Sequence, residues 1–215
     1  MSEWLQNFDI SIITSYVIPA VFVILWLYLL SVFKRAETWA FRFLFGTLGF
    51  FLIYMVYFSD YVAHYVSRAV TTVAGVFGVA TGWFTAYYDS SLIFVYSKVG
   101  SVTLQIDIEC SGAIEIGVFL SLLLFFRVYN WMEKLLYGAL GVMYLITANA
   151  IRVLLISGAV YWFGYGVYDL MHAVVGRIVF YAFSVILYYY VFTRSQIQTM
   201  KVGDFGFTKK KGTAT

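Results

Sequence analysis

Three residues of this sequence carry side chains that could perform covalent chemistry together: Cys110, Arg152 and His172. Cys110 is the single cysteine, and His172 is one of two histidines. A cysteine thiolate is a strong nucleophile, but the thiol needs a nearby cation, a base or a helix N-terminus to ionise. His172 could accept the thiol proton and return it to a leaving amine, whereas Arg152, which stays protonated, could stabilise a thiolate or an oxyanion. These residue types indicate nucleophilic cysteine chemistry, provided that the fold brings them together.

The composition indicates that a membrane holds these residues in place. Of the 215 residues, 62% are hydrophobic and 12% are charged, and the chain has a single proline. A soluble domain cannot bury so much apolar surface, so we predict one integral membrane domain over residues 1–215. Arg152 lies inside an apolar stretch, where a charge is costly, and such a residue is a functional-site hypothesis in itself.

Five apolar segments match, or nearly match, the length of about 20 helical residues that a bilayer requires. They are residues 12–33, 39–58, 113–128, 135–151 and 173–192. We therefore predict an all-α fold, a polytopic helical membrane protein with about five to seven membrane helices and interfacial segments on its outer face.

The basic residues predict how the chain is oriented. Lys34, Arg35 and Arg42 lie at the connection between the first two spans, and cytoplasmic loops are enriched in lysine and arginine. We therefore predict a multi-pass protein of the cytoplasmic membrane with its N-terminus outside. Its regions would be N-terminal spans at 1–58, an extracellular or interfacial region at 59–109, catalytic helices at 110–192 and a cytoplasmic tail at 193–215.

This orientation places the three candidate residues near the outer face. Arg152 follows Lys134 by 18 residues, which is roughly 27 Å of helix and close to one bilayer thickness. Cys110 opens the third span and His172 opens the fifth. Three helix ends in one leaflet could form one site.

Three segments leave alternatives open. Residues 153–168 are apolar enough for a sixth span, but we favour an outer hairpin, an interfacial helix or an overlong fourth helix broken near Gly158. Residues 61–88 mix tyrosines with apolar residues and could lie in the membrane interface. Residues 92–107 alternate weakly between apolar and polar side chains, which predicts a short strand pair leading into Cys110.

Three short blocks of this sequence match a known pattern. They are Cys-Ser-Gly at 110–112, Asn-Ala-Ile-Arg at 149–152, and His172 followed at four-residue intervals by Gly176 and Phe180. In this order the blocks resemble the signatures of the exosortase/archaeosortase family of multi-pass membrane proteins. The resemblance implies a Cys-Arg-His triad on the outer face and a cysteine transpeptidase activity. Substrates in that family carry a C-terminal sorting signal with a short motif, an apolar helix and a basic cluster.

The resemblance also implies a role for each matching residue. Cys110 would be the nucleophile, His172 the general acid/base, and Arg152 the group that stabilises the thiolate or the oxyanion. The supporting residues would be Ser111, Gly112, Asn149, Glu115 and Gly176. Asn149 lies one turn before Arg152 and could orient it, Glu115 should face protein and pair with Arg152 or Arg177, and Gly176 favours close helix packing.

The expected partners are the lipid bilayer, membrane-anchored substrate proteins with a C-terminal sorting signal, and an acceptor that the sequence does not identify. No nucleic acid partner and no cofactor are expected, and one cysteine with two histidines argues against a metal site. The competing interpretation is a non-enzymatic polytopic membrane protein, such as a transporter subunit or an assembly partner. In that case Arg152 and Glu115 would form a structural polar network, and Cys110 would be a packed residue. Within the enzyme interpretation, His64 is the competing base to His172.

Overall fold

The computed structural model describes residues 17–97 and 100–197. The start of the first predicted span at residue 12 and the lysine cluster Lys209–Lys211 of the predicted tail lie outside the described residues. The helices are α1 (Ile18–Arg35), α2 (Trp39–Tyr57), α3 (Ser59–Thr81), α4 (Ile108–Ser111), α5 (Ala113–Phe125), α6 (Trp131–Phe163) and α7 (Tyr165–Ile197). The strands are β1 (Phe84–Tyr87), β2 (Leu92–Ser97) and β3 (Gly100–Gln105).

Four of the described helices, α1, α2, α6 and α7, are long and apolar enough to cross a membrane. Helix α5 is apolar but shorter. The prediction of an all-α polytopic membrane protein is therefore confirmed, and the structure adds a small β-sheet to it. The side chains of α1 and α2 are largely exposed, as expected for helices that face lipid rather than protein.

Helices α6 and α7 form an antiparallel hairpin that resolves the ambiguous segment 153–168. Each helix has 33 residues, roughly 50 Å, which exceeds the hydrocarbon thickness of about 30 Å. Helix α6 continues to Phe163 without a break near Gly158, so the expected break is wrong. The chain reverses at Gly164, whose φ of 81° lies in the left-handed region that glycine tolerates. Most of the apolar run is the far end of one long helix: protein covers one face of it, including Ile156 and Val160, whereas Trp162 and Phe163 are exposed.

The strand pair predicted within 92–107 is present and gains a third strand. β2 pairs with both β1 and β3 in an antiparallel sheet of order β1-β2-β3. Residues 61–88 form most of α3 and all of β1. Helix α3 buries one face at helical spacing, including Ala63, Val70 and Ala74, and it packs on α6 and on β1.

Aromatic rings of neighbouring helices pack directly against glycines, where the missing side chain lets the helices approach each other closely. A Cβ atom built on Gly46, Gly117 or Gly141 would overlap ring atoms of Phe125, Tyr54 or Phe119, respectively. Phe119 is fully buried, and its ring packs against the rings of Tyr188 and Phe192 on α7. The ring contacts at Gly141 therefore connect α5, α6 and α7.

Replacing Gly141 by alanine is expected to destabilise the protein, because Phe119 has no free space into which its ring could move. Overpacking of this kind costs about 1–3 kcal/mol. The matched control is Gly138→Ala on the same helix, where a Cβ meets Leu120 and Leu123 at ordinary distances of 3.7 and 3.6 Å. That variant should be neutral or slightly stabilised by its higher helix propensity. Thermal unfolding in detergent measures both, and equal melting temperatures would contradict the packing argument.

Candidate active site

Cys110 lies in α4, a single helical turn directly before α5. The N–H groups of Cys110 and Ser111 donate to the carbonyl oxygen of Asp107 at 3.0 and 2.8 Å. Gly112 ends the turn with a φ of 82°, a left-handed conformation that favours glycine. The buried Ser111 hydroxyl donates to the carbonyl of Ile108 and accepts the N–H of Ala113, so Ser111 rather than Cys110 satisfies the first N–H of α5. The Cys-Ser-Gly block thus builds the turn that presents the thiol.

The structure brings Cys110 and His172 together, although 62 residues separate them in sequence. Their Sγ and Nε2 atoms are 3.4 Å apart, close enough for a hydrogen bond that involves sulfur. The thiol can donate to Nε2 when the neutral imidazole carries its proton on Nδ1. Both side chains are half-buried. Proton transfer from the thiol to the imidazole is therefore possible without any rearrangement of the chain.

Helix α6 contributes Asn149 and Arg152 to the same site. The Asn149 amide nitrogen donates to the carbonyl oxygen of Cys110 at 2.6 Å, which ties the cysteine turn to α6. Asn149 is fully buried and Arg152 is 5% exposed. Arg152 lies with Cys110 and His172 in one narrow cleft, whose other lining residues include Tyr168 and Ile106. The three predicted triad residues thus share one space, while their catalytic roles stay a prediction.

An irregular stretch of α7 carries His172. Residues Met171–Val175 form a π-helical turn, and the N–H of Gly176 donates to the carbonyl of Met171. Turns of this type often occur at functional sites. A Cβ on Gly176 would lie 2.9 Å from the Met171 carbonyl oxygen and 3.2 Å from Arg152 Cγ. Gly176 therefore allows α7 to approach α6 closely beside the Arg152 side chain.

The expected ion pair of Glu115 is not present. Glu115 is half-buried on α5, and among the side chains that the structure describes, the one ion pair within 4.0 Å joins Arg68 to Asp89. Glu115 therefore pairs with neither Arg152 nor Arg177. Glu115 is nevertheless close enough to Arg152 for a longer-range Coulombic attraction. His64, the alternative base, is exposed on α3 and does not line the cleft of Cys110.

Two tyrosines contact the site but lie outside the three sequence blocks. The Tyr168 ring centroid lies 5.3 Å from that of His172, one helical turn away, so helical spacing alone could have identified it. The Tyr54 hydroxyl on α2 donates to the carbonyl of Ala113 at 2.8 Å and supports the start of α5. Because 59 residues separate Tyr54 from Ala113, no local pattern in the sequence could have revealed this contact.

The cleft at Cys110 is small, and a much larger cavity lies elsewhere. The cleft has a volume of about 20 Å³, which is room for about one water molecule. A cavity of about 990 Å³ lies at the opposite end of α5 and α6, where Arg42, Arg127 and Lys134 line it. The three predicted triad residues line the small cleft, whereas the residues that line the large cavity include no cysteine or histidine. Within the described ranges, no group of three or more His, Cys, Asp or Glu side chains could hold a metal ion.

Replacing Asn149 by aspartate is expected to weaken the anchor of the cysteine turn. At neutral pH a carboxylate oxygen would face the Cys110 carbonyl oxygen without a proton to share, which costs about 1–3 kcal/mol. Asn130→Asp is the matched control, because Asn130 caps the start of α6, where aspartate serves equally well. Thermal unfolding should show a clearly lower melting temperature for Asn149→Asp and an unchanged one for Asn130→Asp. Asn149→Leu should be less harmful than Asn149→Asp, and the reverse order would contradict the assigned hydrogen bond.

Comparison with known protein families agrees with the pattern of the three sequence blocks. The family model described as transmembrane exosortase (Exosortase_EpsH) matches residues 3–189, which include the cysteine turn, Arg152 and His172. No curated protein and no solved structure matches the chain. The match covers most of the 215 residues, so the resemblance seen in the sequence is confirmed. This chain belongs to the transmembrane exosortase family.

Proposed function

We propose that this protein is a membrane-embedded cysteine transpeptidase that cleaves C-terminal sorting signals of exported proteins and transfers the product to an acceptor. The observation that carries the proposal is the distance of 3.4 Å between Cys110 Sγ and His172 Nε2, in a cleft that also holds Arg152. Membership of the exosortase family supports a membrane transpeptidase in general. The residue roles and the reaction steps given below are our assignment.

In the first half of the reaction, His172 takes the thiol proton and the Cys110 sulfur attacks a carbonyl carbon of the sorting signal. The electron pair of the C=O bond moves to oxygen, and the guanidinium of Arg152 stabilises the resulting oxyanion. The tetrahedral intermediate then collapses. The C–N bond breaks, His172 gives its proton to the departing amine, and a thioester on Cys110 remains.

In the second half, an acceptor amine attacks the thioester carbonyl while His172 takes its proton. The C–S bond breaks, the sulfur leaves as a thiolate, and the proton on His172 returns to it. Water in place of the amine gives hydrolysis by the same sequence of bonds. The proton that leaves Cys110 departs with the leaving amine, and the proton taken from the acceptor replaces it, so the enzyme ends in its starting state.

We further propose that the site faces the outer side of the cytoplasmic membrane. Arg42, Arg127 and Lys134 line one cavity at the opposite end of α5 and α6 from Cys110. Clustered basic residues favour the cytoplasmic side. Substrates that have crossed the membrane, and that remain anchored by an apolar C-terminal helix, would then meet Cys110 at the face where they emerge.

The first test is the reactivity of the single thiol in intact cells. A membrane-impermeant maleimide should label Cys110 in the wild type, and His172→Ala should slow labelling at least about tenfold because the base is lost. His64→Ala is the matched control and should leave the rate unchanged. Labelling that appears only after denaturation, or that is equally fast in His172→Ala, would contradict an activated thiol on the outer face.

The second test is substrate processing in cells. Cys110→Ala and the near-isosteric Cys110→Ser should both accumulate uncleaved precursors of proteins that carry C-terminal sorting signals. Both variants should reach wild-type abundance in the membrane, because neither change removes a large buried group. Immunoblots measure precursor and enzyme together. Full processing by Cys110→Ser would contradict the assignment of the thiol as the nucleophile. If the abundance of the enzyme falls as much as processing does, Cys110 is a structural cysteine.

A further inference from the structure

Strand β3 leaves one edge of the sheet open, and its hydrogen-bond register identifies which backbone groups lie on that edge. The Ile106 N–H donates to the Ser91 carbonyl at 3.1 Å, so these two residues form a hydrogen-bonded pair next to the pairing of Leu92 with Gln105. Hydrogen-bonded and non-hydrogen-bonded pairs alternate along an antiparallel ladder. Val102 and Leu104 therefore bond to β2.

The alternate residues Ser101, Thr103 and Gln105 direct their N–H and C=O groups away from β2. All three are exposed. Within residues 17–97 and 100–197, no hydrogen bond from these backbone groups to another residue is present, and no other strand pairs with β3. An open edge of this kind is a template for an additional strand.

Two neighbouring spaces, which we together call the groove, lie along β3, and the second contains the cysteine. Ser101, Thr103 and Tyr165 line a space of about 410 Å³ beside β3. The next residues of the strand, Leu104 and Gln105, line the cleft that contains Cys110. Consecutive residues of β3 therefore connect the open edge to the cleft of the reactive thiol, and α7 contributes Tyr165 to the first space and His172 to the second.

We propose that the sorting-signal segment binds as an extended strand along the open edge of β3, which guides its scissile carbonyl to Cys110. This proposal rests on the proposed function, because it names how the substrate of that site is held. A strand that pairs with Ser101, Thr103 and Gln105 forms main-chain hydrogen bonds that do not depend on its sequence, while side-chain contacts in the groove give selectivity. An extended segment fits this surface better than a helix, whose backbone groups are already bonded internally.

The test uses chloromethyl ketone probes, in which the Cys110 sulfur displaces chloride and forms a stable C–S bond. Acetyl-tetraalanyl chloromethyl ketone supplies an extended backbone with minimal side chains, and 2-chloroacetamide supplies the same type of displacement without a peptide. Because Cys110 is the single cysteine, intact mass measures its modification without ambiguity. For each reagent, the rate with the folded protein is divided by the rate with a free thiol in solution. This ratio should be larger for the peptide probe than for 2-chloroacetamide.

Two further peptide probes carry N-methyl groups on alternate amides. In an extended peptide, alternate N–H groups point to opposite edges, so one methylation pattern blocks the bonds to β3 and the other does not. We expect one of the two probes to lose about threefold to tenfold in rate, as the loss of a main-chain hydrogen bond implies, while the other keeps the rate of the parent peptide. Equal rates for both methylation patterns would overturn the proposal. This comparison needs no substitution in the protein.

Variants of the edge strand give an independent measurement. Thr103→Pro removes an outward N–H and leaves the bonds between β3 and β2 in place, since proline is tolerated on an edge strand. It should slow the peptide probe about threefold or more and leave the rate of 2-chloroacetamide unchanged. Thr103→Ala also removes the threonine hydroxyl but keeps the N–H, so the rate that Thr103→Pro loses relative to Thr103→Ala measures the contribution of the N–H.

The small reagent separates this proposal from the proposed function. If 2-chloroacetamide reacts with Cys110 in a His172-dependent way but the peptide probe shows no rate advantage, the assignment of Cys110 as the nucleophile is supported. The edge-strand proposal then fails. If 2-chloroacetamide does not react with the folded protein, both proposals fail. A peptide advantage that Thr103→Pro abolishes and Thr103→Ala preserves would support the open edge of β3 as the substrate-binding strand.

Discussion

The hydrogen bond from Asn149 to the Cys110 carbonyl holds the reactive turn against the helix that carries Arg152. The turn itself is only four residues long, and such a short helix has little stability of its own. Its geometry therefore depends on what surrounds it: Gly112 permits the reversal into α5, Tyr54 fixes the first carbonyl of α5, and Asn149 fixes the turn. Because Asn149 is fully buried, this bond forms away from competing water.

The same constraint explains the close contact between α6 and α7. Asn149 and Arg152 lie on one face of α6, so a helix that brings His172 to Cys110 must also pass directly over the Arg152 side chain. Gly176 leaves that space free, and the π-helical turn before it changes the angle at which His172 leaves the helix. The family block that joins His172 to Gly176 is thus a geometric requirement of the site as well as a sequence signature.

The sequence predicted the membrane fold and the residues that meet, but it could not predict how they are held. The blocks at Cys110, Arg152 and His172 contain residue types that are typical of nucleophilic cysteine chemistry. The alternation of apolar and polar side chains after Leu92 indicated strands. The apolar run at 153–168 was ambiguous because composition measures burial and does not say whether lipid or protein provides it. Val160, for example, is fully covered by protein. The partners of Asn149 and Tyr54 depend on contacts between distant segments, which leave no periodic pattern.

Arg152 is a buried cation that forms no ion pair with a described residue, and this arrangement has a physical cost. A cation at 5% exposure loses hydration, and an unpaired buried charge is unfavourable. An ion pair with Glu115 would have reduced that cost, but it would also have neutralised the field at the cleft. Glu115 attracts Arg152 from beyond 4.0 Å, so in the proposed reaction the guanidinium keeps hydrogen-bond donors for a negative charge that develops beside Cys110. We infer that, in the proposed reaction, the buried charge of Arg152 stabilises the oxyanion more than the resting thiol, which is the differential binding that catalysis requires. The inference fails if Arg152→Lys, measured with intact substrate, leaves the rate of thioester formation unchanged.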